Sequence, residues 1–227
     1  AVPKVRAMTD FTLFIGNKTY SSWSLRGWLA CKIAGIAFDE VVIPLSRPET
    51  AVEIRKHSPS GKVPALRHGS NLIWESLAIG EYLAEIAPAA GLWPADAAAR
   101  AHARTISAEM HAGFADLRRN MWMNTRRTFP GKGRTPEALA DIERICAIWR
   151  DTRARFGQDG PWLFGRHFCF ADAMFAPVVS RFVTWQPPLP DDATAYVVAV
   201  WDHPFMQEWR RGAEAEPWII DKYENPA

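Results

Sequence analysis

The 227-residue chain reads as an α/β domain followed by an all-helical domain. Three observations carry this reading. Strand-like and helix-like stretches alternate through residues 11–87 in the order β-α-β-α-β-β-α. Beyond Pro94 no strand pattern recurs, and apolar residues fall at helical spacing instead. Between the two regimes lies a short connector, Pro88-Ala89-Ala90-Gly91-Leu92-Trp93-Pro94. The expected domains are residues 9–88 and 97–227, packed together with a cleft between them.

Each element has its own warrant. The run Phe11–Ile15 predicts a buried strand. A helix follows from about Ser22 to Ala34, with Leu25, Trp28, Leu29 and Ile33 at helical spacing and Gly35 placed to end it. Phe38–Leu45, rich in Val and Ile, predicts a second strand, so the first two strands should be parallel with a right-handed crossover. A short helix or loop runs from Arg47 to near His57, and Ser58–Lys62 is a turn-rich connector. Val63–His68 and Leu72–Trp74 flank the tight turn Gly69-Ser70-Asn71 and predict a hairpin. From Glu75 a helix runs to Ala87, with Ile79, Tyr82, Leu83 and Ile86 on one face. One long helix is expected over 97–123. Another opens at Thr135-Pro136-Glu137, a cap followed by proline and an acid, and runs to about Phe156. Residues 157–168 read as a loop, 169–185 as an apolar helix, and 193–201 and 205–215 as shorter helices.

Composition excludes several function classes. Net charge is +2, and no basic run interleaves with aromatics, so a nucleic-acid surface is not indicated. The three cysteines, Cys31, Cys146 and Cys169, are far apart and form no CxxC pair. They are expected as buried free thiols in a reducing cytoplasm, with no metal site. The opening residues Ala1–Ala7 lack an apolar targeting core, Met8 is a candidate start, and charges such as Asp172 and Arg181 interrupt the longest apolar stretches. A cytoplasmic protein with no membrane contact is expected.

Three constellations can carry chemistry. Ser21 and Ser22 sit where the first strand hands over to a helix. A helix N-terminus offers unpaired N–H groups and partial positive charge, so these hydroxyls are either caps or part of a site for an anion or thiolate. Val63-Pro64 enters a hairpin strand. A cis peptide there would turn the Val63 N–H and C=O outward to pair with a peptide-like ligand. Glu75-Ser76 opens another helix, either as an acid complementing the helix dipole or as a second polar anchor. All three lie at element ends of one small domain, where open α/β sheets gather their ligands.

Ser-Ser-Trp-Ser-Leu-Arg (21–26), Ser-Pro-Ser-Gly-Lys-Val-Pro-Ala-Leu (58–66) and Trp-Glu-Ser-Leu-Ala-Ile-Gly-Glu-Tyr-Leu (74–83), in this order, resemble the cytosolic glutathione transferases. The similarity is closest to serine-type, zeta-like members, including bacterial ones, and covers nearly the whole chain. Phe170-Ala171-Asp172-Ala173 resembles the folding motif of the family's helical domain. The resemblance implies a thioredoxin-like, glutathione-binding first domain, an all-α second domain, a homodimer and no metal. It implies that Ser21 or Ser22 is the catalytic hydroxyl, with a lean to Ser21. It implies that Trp23, Lys62, Val63, Pro64, Glu75 and Ser76 hold glutathione. Trp23 stands where zeta enzymes carry cysteine. Cys169 replaces the usual Ser or Thr cap, which leaves Asp172 to serve the backbone. Ala115 stands where zeta enzymes have a polar ligand contact.

The implied chemistry is activation of the glutathione thiol for attack on a small, electrophilic, partly apolar substrate. A thiol of pKa about 8.5 is only about 3 % ionised at pH 7. One hydroxyl hydrogen bond plus a helix N-terminus supplies stabilisation of the size needed to ionise it. Met110, Phe114 and Met121 are spaced to line a second-substrate pocket on the long helix, with Arg118 available to an anionic group; they serve equally as core. Two alternatives stand beside conjugation: a maleylacetoacetate-isomerase-type activity, and a non-catalytic binding protein of the same fold.

Overall fold

In the computed structural model, which describes residues 10–226, Phe11–Ile15 forms strand β1. The candidate start Met8 and residues 1–7 lie outside the described residues. Side chains of a strand alternate between faces. Leu13 and Ile15 accordingly enter the main core, while Phe14 joins a small cluster with Ile43, Ile54 and Ala65 on the opposite face.

The sheet has the order β2-β1-β3-β4. Strand β2 (Asp39–Val42) runs parallel to β1, with Thr12 opposite Asp39. On the other side β3 (Ala65–His68) is antiparallel to β1, with Leu13 opposite Leu66. Strand β4 (Asn71–Trp74) completes the hairpin, Ile73 opposite Leu66. The second strand is shorter than the expected Phe38–Leu45. The third starts at Ala65, which leaves Val63 and Pro64 as a free approach to the sheet.

Helix α1 (Ser22–Ala34) supplies the crossover and ends at Gly35, whose φ of 66° suits a residue without Cβ. It is buried around nearly its whole circumference, including Ser22, Ser24, Arg26, Trp28 and Cys31. A helix apolar on most sides must be enclosed. The sheet covers one side, and α7 (Phe170–Trp185) covers another. Helix α2 (Thr50–Arg55) shields the far face of the sheet, and α3 (Ser76–Ile86) lies beside α1. Gly80 on α3 lets the Phe170 ring approach: a Cβ there would fall 2.0 Å from the ring.

Among the described residues, everything beyond residue 97 that is regular is helical, apart from one isolated bridge, Trp162 to Gly165. The remaining helices are α4 (Ala97–Ala112), α5 (Ala115–Asn120), α6 (Pro136–Phe156), α8 (Asp191–Trp201) and α9 (Pro204–Ala215). The continuous helix expected over 97–123 does not form. Gly113 is extended and Phe114 is left-handed (φ 63°), so the chain breaks between α4 and α5. Glycine is a poor interior helix former. The carbonyls freed at the break are taken by Arg118, whose Nε donates to Gly113 O at 2.9 Å and whose Nη2 donates to Met110 O.

Asp172, buried completely in the first turn of α7, ties three segments together. Its Oδ2 accepts the Cys169 N–H at 2.9 Å. Its Oδ1 accepts the Leu163 N–H at 3.0 Å and the Tyr196 hydroxyl at 2.8 Å. Burial pushes this carboxyl above the usual carboxylate range, and the hydrogen bonds oppose that push. Replacing Asp172 by Ala strands three buried donors at about 1–3 kcal/mol each. The expected loss is about 3–5 kcal/mol in urea unfolding; a loss under about 1 kcal/mol would show that this anchor is not needed.

Candidate active site

The turn leading into α1 is held from two directions. Asn17 is fully buried; its main-chain oxygen accepts the N–H of Tyr20 (3.2 Å) and Ser21 (2.8 Å), and its Oδ1 accepts the Leu45 N–H at 2.8 Å. From the C-terminal segment, Glu216 accepts the Lys18 N–H at 2.7 Å and the Thr19 N–H at 3.4 Å. Burial raises the Glu216 pKa and those N–H bonds pull it back. The Tyr20 hydroxyl donates to Glu224 Oε1 at 2.6 Å and accepts the Ile220 N–H at 3.3 Å.

This clamp fixes Ser21 as the N-cap of α1. Its Oγ accepts the Ser24 N–H at 3.4 Å and donates to Ser24 Oγ at 2.7 Å. Ser24 is fully buried, and its Oγ also accepts the Gly16 N–H at 2.9 Å. The two readings of Ser21, cap and site residue, are compatible, because the capping residue also lines a cleft of about 630 Å³.

The same cleft is lined by Trp23, Lys62, Val63, Pro64, Glu75 and Ser76. The Val63–Pro64 peptide is cis. Pro64 sits directly under α1, where a Cβ on Gly27 would come within 2.9 Å of its ring. Glu75 has φ 68° and ψ 125°, a conformation that non-glycine residues avoid and that is concentrated at binding sites. Ser76 then opens α3. Its Oγ is buried and has no hydrogen-bond partner among the described residues. Two helix N-termini, those of α1 and α3, therefore meet one cleft, each carrying a serine hydroxyl.

Ser22 is not among the residues lining the cleft. It points to the helical side, where its Oγ accepts from Arg181 Nη2 at 3.2 Å. The expected second-substrate face does not form, because the break at Gly113 ends the common helical face. Met110 and Met121 have no exposed surface and belong to the core, and Phe114 is buried at the break. Arg118 is turned onto the α4 carbonyls, with its guanidinium carbon 4.7 Å from the centre of the Trp23 ring. Trp122 and Trp185 pack edge to face at 4.8 Å, with Trp185 Nε1 donating to Trp122 O.

His111, on the last turn of α4, also lines the cleft. Its Nε2 lies 3.5 Å from Glu75 Oε2, and its ring meets Trp23 edge to face at 5.1 Å. Burial and the nearby Arg26 lower its pKa, so it is neutral near pH 7. No local pattern distinguishes it; only the packing of α4 against α3 brings it there. The three cysteines are free and buried, and burial pushes Cys146 up to about 11 and raises Cys31 and Cys169 as well, so none is a thiolate nucleophile. Among the described residues no group of three or more His, Cys, Asp or Glu could hold a metal ion, and no helix is long and apolar enough to cross a membrane.

Residues 20–86 match the family model of the glutathione S-transferase N-terminal domain. The chain is 40 % identical over 142 residues to glutathione S-transferase T1 of Arabidopsis thaliana, covering 60 % of this chain and 55 % of that protein. It is 36 % identical over 96 residues to a probable maleylacetoacetate isomerase of Caenorhabditis elegans, covering 42 % of this chain and 44 % of that protein. The matches thus span about half the length of these curated relatives. A glutathione transferase homologue from Burkholderia, solved with bound glutathione, superposes with a TM-score of 0.70 at 25 % identity, covering 91 % of this chain and 99 % of that one. A theta-class enzyme from Xanthomonas axonopodis pv. citri, also with glutathione bound, shares the fold at a TM-score of 0.66 and 22 % identity, with 92 % and 99 % covered. The α/β half has the thioredoxin-like arrangement and matches the glutathione S-transferase N-terminal domain, and the whole chain shares the fold of these solved glutathione transferases.

Ser24 underlies the site without facing the cleft. Ser24→Ala leaves the Gly16 N–H buried without an acceptor and is expected to cost about 1–3 kcal/mol in thermal or urea unfolding. Stability unchanged within about 0.5 kcal/mol would mean that Gly16 and Ser21 do not depend on this hydroxyl.

Proposed function

We propose that the cleft binds glutathione and that the protein is a glutathione transferase whose activating hydroxyl is that of Ser21. The observation that carries this reading is the pair of serines at two converging helix N-termini. Ser21 and Ser76 both line the cleft, and Ser76 Oγ is buried without a partner. A buried hydroxyl left unpaired calls for a polar ligand group. A tripeptide anion fits, because partial positive charge at both N-termini favours a thiolate at one end and a carboxylate at the other. Val63, ahead of the sheet, offers its backbone between them, and Lys62 is exposed beside it. On this reading the 9–88 domain holds glutathione, the 97–227 domain supplies His111, and the protein is a homodimer as in its family.

The chemistry follows from the hydrogen bonds. At rest the Ser21 O–H points at Ser24 Oγ. When it turns to the glutathione sulfur, the Ser24 O–H takes up the bond in the opposite sense and polarises Ser21. The thiol proton leaves to solvent, and neither serine ionises. A hydrogen bond to a charged group contributes about 1.5–3 kcal/mol, or roughly 10- to 100-fold in thiolate stability. The thiolate then attacks an electrophile that enters beside Trp23 and His111, since the α4–α5 face is closed. Isomerisation of a maleyl-type substrate is the second reading, favoured by the likeness to the probable maleylacetoacetate isomerase.

Separate variants test this. Ser21→Ala should raise the pKa of bound glutathione, seen in the thiolate's ultraviolet absorbance, and lower kcat/KM for a conjugation substrate roughly 10- to 100-fold. Ser22→Ala should stay within about 3-fold of the parent. Ser76→Ala should weaken glutathione binding about 10-fold with little effect on the bound thiol. A large loss in Ser22→Ala with Ser21→Ala unaffected would reverse the assignment. No glutathione binding at millimolar concentration would favour the non-catalytic reading.

A further inference from the structure

Three arginines meet behind the candidate site with no carboxylate paired to them. Arg26, on α1, is completely buried; its Nε donates to Met174 O at 2.9 Å, and both Nη atoms lack a partner among the described residues. Arg181, on α7, is 4 % exposed; Nη1 donates to Pro177 O and Nη2 to Ser22 Oγ, each at 3.2 Å, and Nε has no partner. Arg118, on α5, spends Nε and Nη2 on carbonyls and leaves Nη1 buried and unpaired. Every hydrogen-bond acceptor given to the three guanidiniums is neutral.

Such an arrangement is unfavourable as it stands. An unpaired buried cation loses its hydration without return, and like charges in one pocket add to the penalty. The other charged or titratable groups that reach the cluster are few. Asp141 acts on Arg118, Tyr223 acts on Arg181, and His111 lies beside Arg26 with Glu75 beyond it. None of them is hydrogen-bonded to a guanidinium of the three. Burial, and then the neighbouring arginines, lowers the pKa of Arg26 and takes Arg181 down to about 9.

The Trp23 side chain belongs to both the cluster and the cleft. The guanidinium carbons of Arg26 and Arg118 lie 4.6 Å and 4.7 Å from the centre of the Trp23 ring. Trp23 is partly exposed and lines the cleft. We propose that Arg26, Arg118 and Arg181 form a second site, for a small oxyanion of carboxylate or phosphate type, which enters from the cleft by displacing the Trp23 indole. The four free nitrogens, Nη1 and Nη2 of Arg26, Nη1 of Arg118 and Nε of Arg181, are its donors. Guanidinium forks match the oxygens of both anion types. The anion supplies the missing counter-charge, and through Arg181 it bears on Ser22. The site does not depend on thiol activation and stands whether or not glutathione binds.

The test is thermal unfolding of the full chain in succinate or in inorganic phosphate, against sodium chloride at equal ionic strength, with and without saturating glutathione. The expected result is a saturable rise in midpoint with at least one of the two anions, roughly 5–10 °C at a hundred times its dissociation constant. It should persist with glutathione bound and disappear in Arg118→Gln. Arg26→Met, which removes charge while keeping bulk, is the second variant should the first fail to fold. A rise no greater than chloride gives overturns the proposal. So does a rise that glutathione abolishes, which would place the anion in the glutathione cleft, or one that survives both substitutions. Glutathione binding is read in the same series, so failure of the anion site and failure of the glutathione reading are distinguishable.

Discussion

The enclosure of α1 is the constraint on which the rest of this structure depends. Leu25, Trp28, Leu29 and Cys31 are buried, and so are Ser22, Ser24 and Arg26. A helix with so little exposed surface needs cover on opposite sides, and the sheet and α7 provide it. The N-terminus of α1 is thereby fixed where the α/β and helical halves meet. Its cap, Ser21, lines the cleft that Val63, Pro64, Glu75 and Ser76 also line. The close approaches at Gly27–Pro64 and Gly80–Phe170 are the local means by which this enclosure is made tight.

The same enclosure sets the electrostatics. Two helix N-termini point at one cleft and make it receptive to negative charge. Behind it, three guanidiniums are held in low dielectric by helices α1, α5 and α7, which belong to different parts of the chain. Desolvation is the largest influence on each of them, and also on His111, which is neutral as a result. The region has a surplus of donors and a shortage of acceptors. That imbalance is unusual for a stable interior and characteristic of a surface built to receive anions.

The turn that presents Ser21 is not rigid on its own account. Among residues 17–20 the main-chain bond is that from Tyr20 N–H to Asn17 O, which also accepts from Ser21. They are held by Glu216, Ile220 and Glu224, some two hundred residues later in the chain. Arg126 in turn grips the tail, donating to Glu216 O at 2.9 Å and Trp218 O at 2.7 Å. The C-terminal segment is therefore part of the site's framework, with its anchoring residues spread over the whole sequence.

The sequence by itself determined the elements whose cause is local. The alternation in β1, the crossover through α1, the hairpin at Gly69 and the Thr135-Pro136 cap are all written in neighbouring residues, because period and capping are short-range physics. The gathering of Ser21, Val63-Pro64 and Glu75-Ser76 was legible too, since all three lie at element ends of one sheet domain. Tertiary structure alone decided the rest. It broke the 97–123 helix at Gly113, where Arg118 can cap the exposed carbonyls, and so buried Met110 and Met121. It turned Ser22 toward Arg181 and away from the cleft, a choice between adjacent hydroxyls that no local pattern encodes. It brought His111 to Glu75, and Arg26, Arg118 and Arg181 to one locus, through the packing of α1, α3, α4, α5 and α7. Local pattern fixes which residues share an element; only the packing of elements fixes which charges share a dielectric.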